Sequence, residues 1–169
     1  MKKLKIALDL DDTIFDFFGE YKKMFPGKKN LVDSTITKNV YKLKRNKSFW
    51  ENLPLIEKPD FEPYIYATKR INSKNYTRNC LIKHELPIKP IYQMYYQKGN
   101  KADMIKGKCD VLIDDSITNV MQAINSGLPA LIIDRPHNQN GSPVFRIYNL
   151  DYKEILDAYE LELQTLGWT

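Results

Sequence analysis

The sequence contains little cysteine and little histidine, and it has no long apolar run. Its 169 residues include two cysteines, Cys80 and Cys109, which are too few for a disulfide framework. The two histidines, His84 and His137, are too few and too scattered for a zinc site. No stretch approaches the ~20 apolar residues that a membrane-spanning helix needs. The first residues also lack the apolar segment of a signal peptide, so we expect a cytoplasmic protein without membrane association.

Two motifs of other enzyme classes are also missing. There is no Gly-x-x-x-x-Gly-Lys-[Ser/Thr] loop, which excludes an attached P-loop kinase activity from this polypeptide. No Ser-His or Cys-His arrangement suggests a nucleophilic triad.

Positive charge is abundant and unevenly distributed. The net charge is +5, and residues 21–50 carry nine basic side chains against one acidic side chain, Asp33: Lys22, Lys23, Lys28, Lys29, Lys38, Lys42, Lys44, Arg45 and Lys47. Such a segment attracts anions, either phosphate esters or nucleic acid. The alternative is a solvated lysine-rich face.

Short apolar runs alternate with helical stretches, which predicts an α/β fold: a Rossmann-like parallel sheet with helices on both faces. The predicted strands are Lys3–Leu10, Tyr64–Thr68, Ile88–Met94, Asp110–Asp114 and Ala130–Asp134. The predicted helices are Phe15–Phe25, Asp33–Lys44, Ser73–Leu86, Lys101–Ile105, Ser116–Asn125 and Asp151–Leu166. We expect a catalytic core of residues 1–13 and 61–169, with residues 14–60 forming a small, mainly helical cap inserted after the first strand.

Carboxylates follow two of the predicted strands. Asp9, Asp11 and Asp12 end the first strand, and Asp114 and Asp115 end the fourth. If both strands are central and parallel, these acids meet at the carboxyl edge of the sheet, where ligands bind. Crowded carboxylates need a cation, and Mg²⁺ prefers oxygen ligands. The alternative for the first group is an acidic strand exit or a helix cap.

Hydroxyl and basic side chains are predicted at the same edge. Thr68, Lys69 and Arg70 end the second strand, and Lys101 precedes the fourth. A transferring phosphoryl group needs such donors around its oxygens. On the sequence alone, other lysines compete with Lys101 for this role: Lys98, Lys106 and Lys108.

These motifs, in this order, resemble the haloacid dehalogenase (HAD) superfamily of phosphohydrolases. The DxDx[Thr/Val] motif is matched by Asp9, Asp11 and Thr13, and the remaining three motifs are matched by Thr68, Lys101 and Asp114-Asp115. The resemblance implies Asp9 as nucleophile and Asp11 as general acid–base. It implies Mg²⁺ held by Asp9, the Asp11 backbone carbonyl and Asp115, with Asp114 beside it, and phosphate held by Thr68 and Lys101, with Lys69 as a further candidate.

Within the superfamily the chain is most similar to the 5′(3′)-deoxyribonucleotidases, through the segment Ser48–Leu55 and through Asp134-Arg135-Pro136-His137-Asn138. This likeness implies a small phosphate monoester, such as a nucleoside monophosphate, as the substrate. It also implies that aromatic side chains of the cap contact the base: Phe49, Trp50 and Phe18. The alternative is that Phe49 and Trp50 pack the cap onto the core. Asp12 departs from the pattern, since these enzymes more often have glycine there.

Two other functions remain open at this point. A 3′-phosphatase acting on nucleic-acid ends would use the basic cap to bind the strand. A HAD-like binding module without activity would have lost its nucleophile or its acid–base residue, whereas both aspartates are present here.

Overall fold

The computed structural model describes residues 3–26, 34–95, 99–139 and 145–168. Its strands are β1 (Ile6–Leu8), β2 (Ile65–Thr68), β3 (Ile91–Gln93), β4 (Val111–Asp114), β5 (Ala130–Ile133) and β6 (Arg146–Ile147). Its helices are α1 (Phe17–Met24), α2 (Ser34–Leu43), α3 (Lys47–Glu51), α4 (Lys74–Lys83), α5 (Lys101–Ile105), α6 (Ile117–Asn125) and α7 (Tyr152–Leu166). Four residues named above lie outside the described ranges: Lys28, Lys29, Asp33 and Lys98.

Within these ranges the six strands form one sheet in the order β3-β2-β1-β4-β5-β6, and every neighbouring pair is parallel. The chain order reverses at β1, which lies between β2 and β4. This is the strand order of Rossmann-like sheets. The predicted α/β class is therefore confirmed. Strand β6 was not predicted, because an Arg-Ile pair has neither the length nor the pattern of a recognisable strand.

Helices cover both faces of the sheet. Side chains alternate between the faces of a strand, so Ile6 and Leu8 of β1 join one apolar cluster while Ala7 joins the other. The first cluster includes Leu81 of α4 and Ile155 of α7. The second includes residues of α5 and α6. No helix in the described part of the chain is long and apolar enough to cross a membrane.

Local sequence explains where the helices begin and end. The predicted cap of α4 is present, since the Ser73 hydroxyl accepts a hydrogen bond from the N–H of Asn75. The helix ends at Lys83, three residues before the predicted end, and Glu85 then adopts a left-handed φ of 54°. Helix α3 was not predicted; the Asn46 side chain caps it by accepting from the N–H of Phe49.

The helical segment after β1 leaves the sheet and returns to it at adjacent points. The N–H of Asp16 donates to the Pro54 carbonyl at 2.9 Å, and the N–H of Ile56 donates to the Ile14 carbonyl at 2.7 Å. Phe15 and Leu55 form an antiparallel bridge between these two bonds. The division into a core and a cap of residues 14–60 remains a proposal, which this paired neck supports.

Aromatic rings hold α1 and α3 together. Phe17 stacks on Trp50 at 5.7 Å between ring centroids, and Phe49 meets Trp50 edge-on at 5.1 Å. The indole N–H of Trp50 donates to the Leu43 carbonyl at 2.8 Å, which ties α3 to the end of α2.

Glu162 of α7 is a buried acid far in the sequence from the predicted site. One carboxylate oxygen accepts from the N–H of Ala130 at 3.0 Å, and the other has no hydrogen-bond partner. Burial raises the pKa of the Glu162 carboxyl to about 7, although the bond from Ala130 opposes this. The folded protein therefore keeps a proton here that the unfolded chain releases.

Stability is expected to fall as the pH rises from the ordinary glutamate pKa of 4.5 to about 7, because only the unfolded state gains by ionisation in this window. Glu162→Gln removes this titration while keeping an acceptor for Ala130. It should leave stability near the wild-type value at pH 5 and raise it at pH 8 by about 2 kcal/mol, less than the full shift implies because nearby solvent screens the charge. Urea unfolding at both pH values measures this. Glu160→Gln, at an exposed position of the same helix, is the control. An unchanged pH dependence in Glu162→Gln would contradict the assignment.

Candidate active site

Asp9 and Asp114 lie at the carboxyl ends of the two central strands. Strands β1 and β4 pair with Leu8 opposite Ile113, and the N–H of Asp9 donates to the Ile113 carbonyl at 3.0 Å. Both side chains are buried, with 4% of Asp9 and 0% of Asp114 exposed. The sheet order reverses beside this pair, and ligands of parallel α/β sheets bind at such a point.

The ammonium of Lys101 lies between these two carboxylates. Its Nζ donates to Asp9 Oδ1 and to Asp114 Oδ2, each at 2.5 Å. Lys101 is in the first turn of α5, a helix capped by the side chain of Asn100. Of the rival lysines within the described ranges, Lys106 contacts the Ser126 carbonyl and Lys108 lies over the Tyr92 ring. The structure thus places Lys101 at the acidic strand ends.

Asp115 completes a buried group of three carboxylates. One oxygen each from Asp9, Asp114 and Asp115 lie within 4.8 Å of one another. The hydroxyl of Thr13 lies 3.3 Å from Asp9 Oδ2 and 3.4 Å from Asp115 Oδ1, so these two oxygens face a common point.

Charge in this group is not balanced by protein cations alone. Burial raises the pKa of the Asp9 carboxyl well above its usual range; the Lys101 ammonium opposes this, and the charges of Asp114 and Asp115 add to it. Burial also raises the pKa of Asp115, against the hydrogen bond from His137. A divalent cation with oxygen ligands would relieve this repulsion. The donor set, carboxylates at close range in a buried position, therefore fits Mg²⁺.

The carboxylate of Asp11 is not part of that group, although it follows the same strand. It forms a forked ion pair with Arg70: Nε lies 3.0 and 2.9 Å from the two carboxylate oxygens, and Nη2 lies 2.7 Å from Oδ1. The hydroxyl of Thr68, at the end of β2, lies 3.4 Å from Asp11 Oδ2. Thr68 and Asp11 therefore lie together at this edge, as the sequence pattern indicates.

Lys69 contacts the acidic group through a side chain that sequence reasoning missed. Its Nζ donates to Asn119 Oδ1 at 2.8 Å, and Asn119 Nδ2 donates to both oxygens of Asp114, at 3.0 and 3.2 Å. Burial lowers the pKa of Lys69, and the nearby Lys101 charge adds to this effect. Asn119 lies in the first turn of α6, three residues after the capping Ser116. A polar residue at that spacing after the Asp114-Asp115 motif was the available signal.

His137 and Asn138 support Asp115 from the loop after β5. His137 Nε2 lies 2.7 Å from Asp115 Oδ2, and Asn138 Nδ2 donates to the Asp115 carbonyl at 2.8 Å. The hydrogen bond to Asp115 raises the pKa of His137. Sequence reasoning treated His137 mainly as a surface residue, because nothing in the pattern shows that this loop turns back over β4.

Asp12 occupies a position with a left-handed backbone, φ 59°. Glycine adopts this conformation most readily, and aspartate tolerates it better than most residues, which accounts for the departure from the family pattern. The Asp12 carboxylate accepts from the N–H of Phe18 at 2.9 Å. Burial, followed by the charge of Asp115, raises the pKa of Asp12 to about 8. Arg135 holds the same loop by donating to the carbonyls of Asp12 and Thr13, at 3.2 and 2.8 Å.

The three predicted base contacts lie in different surroundings. Trp50 is 1% exposed and packs inside the protein, which favours the packing alternative. Phe49 is 9% exposed and lines a groove of about 320 Å³ next to α1 and α3. Phe18 is half-buried, and the Lys22 ammonium lies 4.1 Å from its ring centroid.

No family model matches the sequence, and no curated protein matches it. Among solved structures, the fold is similar to the crystal structure of a HAD-superfamily hydrolase from Ehrlichia chaffeensis. The two chains are 16% identical over 97% of this chain and 98% of the other, with a TM-score of 0.46. A likeness of this size has no bearing on the reaction, which has to be inferred from the site itself.

Mg²⁺ is expected to raise the melting temperature of metal-free protein, because only the folded state gathers the three carboxylates. At a concentration 100 times the dissociation constant the gain is about 2.7 kcal/mol. Asp115→Asn removes one anionic ligand and should lose most of the shift. Asp103→Asn, at an exposed position of α5, should retain it. Thermal unfolding by circular dichroism, with and without millimolar Mg²⁺ at constant ionic strength, measures both. An equal shift in Asp115→Asn would contradict this site.

Proposed function

We propose that this chain is a Mg²⁺-dependent phosphomonoesterase of the HAD superfamily that acts through an aspartyl-phosphate on Asp9. The observation that carries the proposal is the position of Asp9, buried at the strand junction between the Lys101 ammonium and the carboxylates of Asp114 and Asp115. A nucleophile of this kind needs an anionic substrate brought close to it, and a cationic centre provides the attraction. A purely structural acid would not need three further ionisable groups around it.

The proposed reaction has two displacements at phosphorus. An oxygen of Asp9 attacks, the ester P–O bond breaks, and the departing alkoxide takes a proton from the Asp11 carboxyl. Water then attacks the aspartyl-phosphate, the Asp11 carboxylate takes the proton from that water, and the P–O bond to Asp9 breaks to release phosphate. Covalent catalysis divides one difficult step into two, and acid–base catalysis contributes about 10²–10⁴-fold.

Mg²⁺ would be held by Asp9, Asp115 and the Asp11 backbone carbonyl, with Asp114 adjacent. When bound, it supplies positive charge that lets an anionic nucleophile approach an anionic phosphate. The chain prepares for this charge through Asn119, His137 and Asn138, which orient Asp114 and Asp115.

Lys101, Thr68 and Lys69 would hold the phosphoryl oxygens. Lys101 is already in contact with the nucleophile, so an attacking geometry brings phosphoryl oxygens within its reach. The Thr68 hydroxyl lies beside Asp11, on the β2 side of Asp9. Lys69 lies on the Asn119 side, half-buried and available to a ligand that displaces its amide contact.

A nucleoside monophosphate is the proposed substrate class. The cap has a groove floored by an aromatic ring, Phe49, with amide and hydroxyl groups around it. Phe18 is bonded through its own N–H to the loop that carries the nucleophile, which places its ring near the site. A ring face stacks on a base with a contribution of about 1–3 kcal/mol.

The second candidate, a 3′-phosphatase for nucleic-acid ends, is favoured by a separate observation. The described basic side chains of α1 and of the segment around α3 are exposed: Lys22, Lys23, Lys42, Lys44, Arg45 and Lys47. An exposed basic face of this extent suits a phosphate backbone.

Purified protein with Mg²⁺ is expected to release phosphate from deoxyribonucleoside or ribonucleoside monophosphates, and a chelator should abolish the activity. Asp9→Asn should lower kcat by roughly 10⁴-fold or more, because the nucleophile is lost while the fold is kept. Asp157→Asn, exposed on α7, is the matched control and should retain wild-type rates. Activity retained by Asp9→Asn would remove Asp9 as nucleophile.

Salt dependence separates the two candidates. For a mononucleotide, kcat/KM should change less than about tenfold between roughly 50 and 200 mM salt, since few counterions are released. An oligonucleotide gripped through 6–10 phosphates would lose about 10³–10⁵-fold over the same range. Parallel assays with a deoxyribonucleoside monophosphate and a 3′-phosphorylated oligonucleotide measure this. A preference for the oligonucleotide that disappears in salt and in a Lys42→Gln, Lys47→Gln variant would favour the second candidate.

A further inference from the structure

We propose that Arg70 positions the general acid–base Asp11, and that Trp50 of the cap in turn sets the position of Arg70; this rests on the function proposed above. Asp11 has to present its carboxyl first to a leaving oxygen and then to a water on the same side of phosphorus. A short side chain on a loop needs an external support to hold one orientation through both steps.

The contacts of Arg70 are those of a support. Its guanidinium binds both oxygens of Asp11 in a fork, the arrangement that fixes the plane of a carboxylate as well as its position. Its remaining nitrogen, Nη1, donates to the Thr77 hydroxyl of α4 at 3.3 Å. Arg70 is 1% exposed, so its guanidinium is enclosed by protein and reaches the substrate only through Asp11.

Two aromatic rings determine where the guanidinium lies. Its central carbon is 5.4 Å from the Trp50 ring centroid and 5.7 Å from the Phe15 ring centroid. Guanidinium groups bind ring faces strongly when both are desolvated. Trp50 belongs to α3, and its indole N–H is bonded to the Leu43 carbonyl of α2. The cap therefore contacts the acid–base residue through one buried arginine.

This arrangement gives α3 a place in the reaction. Glu51 accepts from Asn79 of α4 at 2.6 Å, so α3 is bonded to the helix that also holds Arg70 through Thr77. A shift of α3 moves Trp50, and Arg70 and Asp11 follow because the ring, the guanidinium and the carboxylate are in continuous contact. The cap thereby sets the efficiency of proton transfer as well as access to the site.

The experiment uses two substrates that differ in their need for a proton. An alkyl phosphate, glycerol 2-phosphate, requires Asp11 to protonate its leaving oxygen. The p-nitrophenolate ion leaves p-nitrophenyl phosphate without a proton, so formation of the aspartyl-phosphate does not use Asp11 as an acid. Hydrolysis of the aspartyl-phosphate requires Asp11 as base for both substrates.

Arg70→Met, which keeps volume and removes the fork, should lower kcat/KM for the alkyl phosphate about 10²-fold. For p-nitrophenyl phosphate, kcat/KM should stay within about threefold of wild type while kcat falls, and a burst of one equivalent of p-nitrophenolate should precede slow turnover. Arg70→Lys should recover part of the alkyl phosphate activity. Trp50→Leu should show the same pattern with a smaller loss, and Arg78→Met, exposed on α4, should behave as wild type.

An equal loss for both substrates without a burst, or no loss for either, would overturn the inference. If Arg70→Met does not fold, Arg70→Lys and Trp50→Leu carry the same test, since each keeps Asp11 or Arg70 partnered. A wild-type protein that releases no phosphate from any substrate would remove the proposed function itself. A wild type that is active and loses activity in Asp9→Asn, with Arg70 variants indifferent to the leaving group, removes only the role of Arg70.

Discussion

The contact of one ammonium with two carboxylates organises the centre of this molecule. Asp9 and Asp114 end adjacent central strands, and no water reaches them freely, so each would be a buried unpaired charge without Lys101. Leaving such a charge unpaired costs several kcal/mol. The position of α5 against the sheet follows from this requirement, because Lys101 reaches the junction from the first turn of that helix. The contact satisfies the fold only in part, since a third carboxylate, Asp115, stays within range of the same ammonium.

The orientation of the acidic side chains comes from elements other than the strands that carry them. Asp114 is held by Asn119 from a helix, and Asp115 is held by His137 and Asn138 from a loop. Asp11 is held by Arg70, which follows the neighbouring strand. The strands bring the acids to one edge, and the supporting side chains decide which of them face the common point and which face away. This separates Asp11 from the other three, although Asp9 and Asp11 are two residues apart.

Much of this arrangement was predictable from the sequence, and the rest depends on contacts that no local pattern encodes. The continuous apolar runs Val111–Ile113 and Ala130–Ile133 predict covered parallel strands, and the acids that follow Leu8 and Ile113 predict the occupied edge. The pattern could not choose Lys101 over Lys106 or Lys108, because the choice depends on which turn of α5 faces the sheet. It could not pair Arg70 with Asp11, since that pairing depends on side-chain directions beyond the ends of two strands. The burial of Trp50 results from packing between α1, α2 and α3, three short segments whose mutual arrangement is a tertiary property.

The paired neck formed by Ile14–Asp16 and Pro54–Ile56 has a consequence for how this architecture tolerates change. The inserted segment departs and rejoins at one place, so its internal length adds little to the geometric demand on the sheet, and a longer or shorter insert alters closure entropy only logarithmically. Helices between the two arms of the neck can therefore be exchanged in evolution or by design while the strand framework stays intact. The exception is the single indole that reaches the framework, and any replacement module has to supply a side chain in its place.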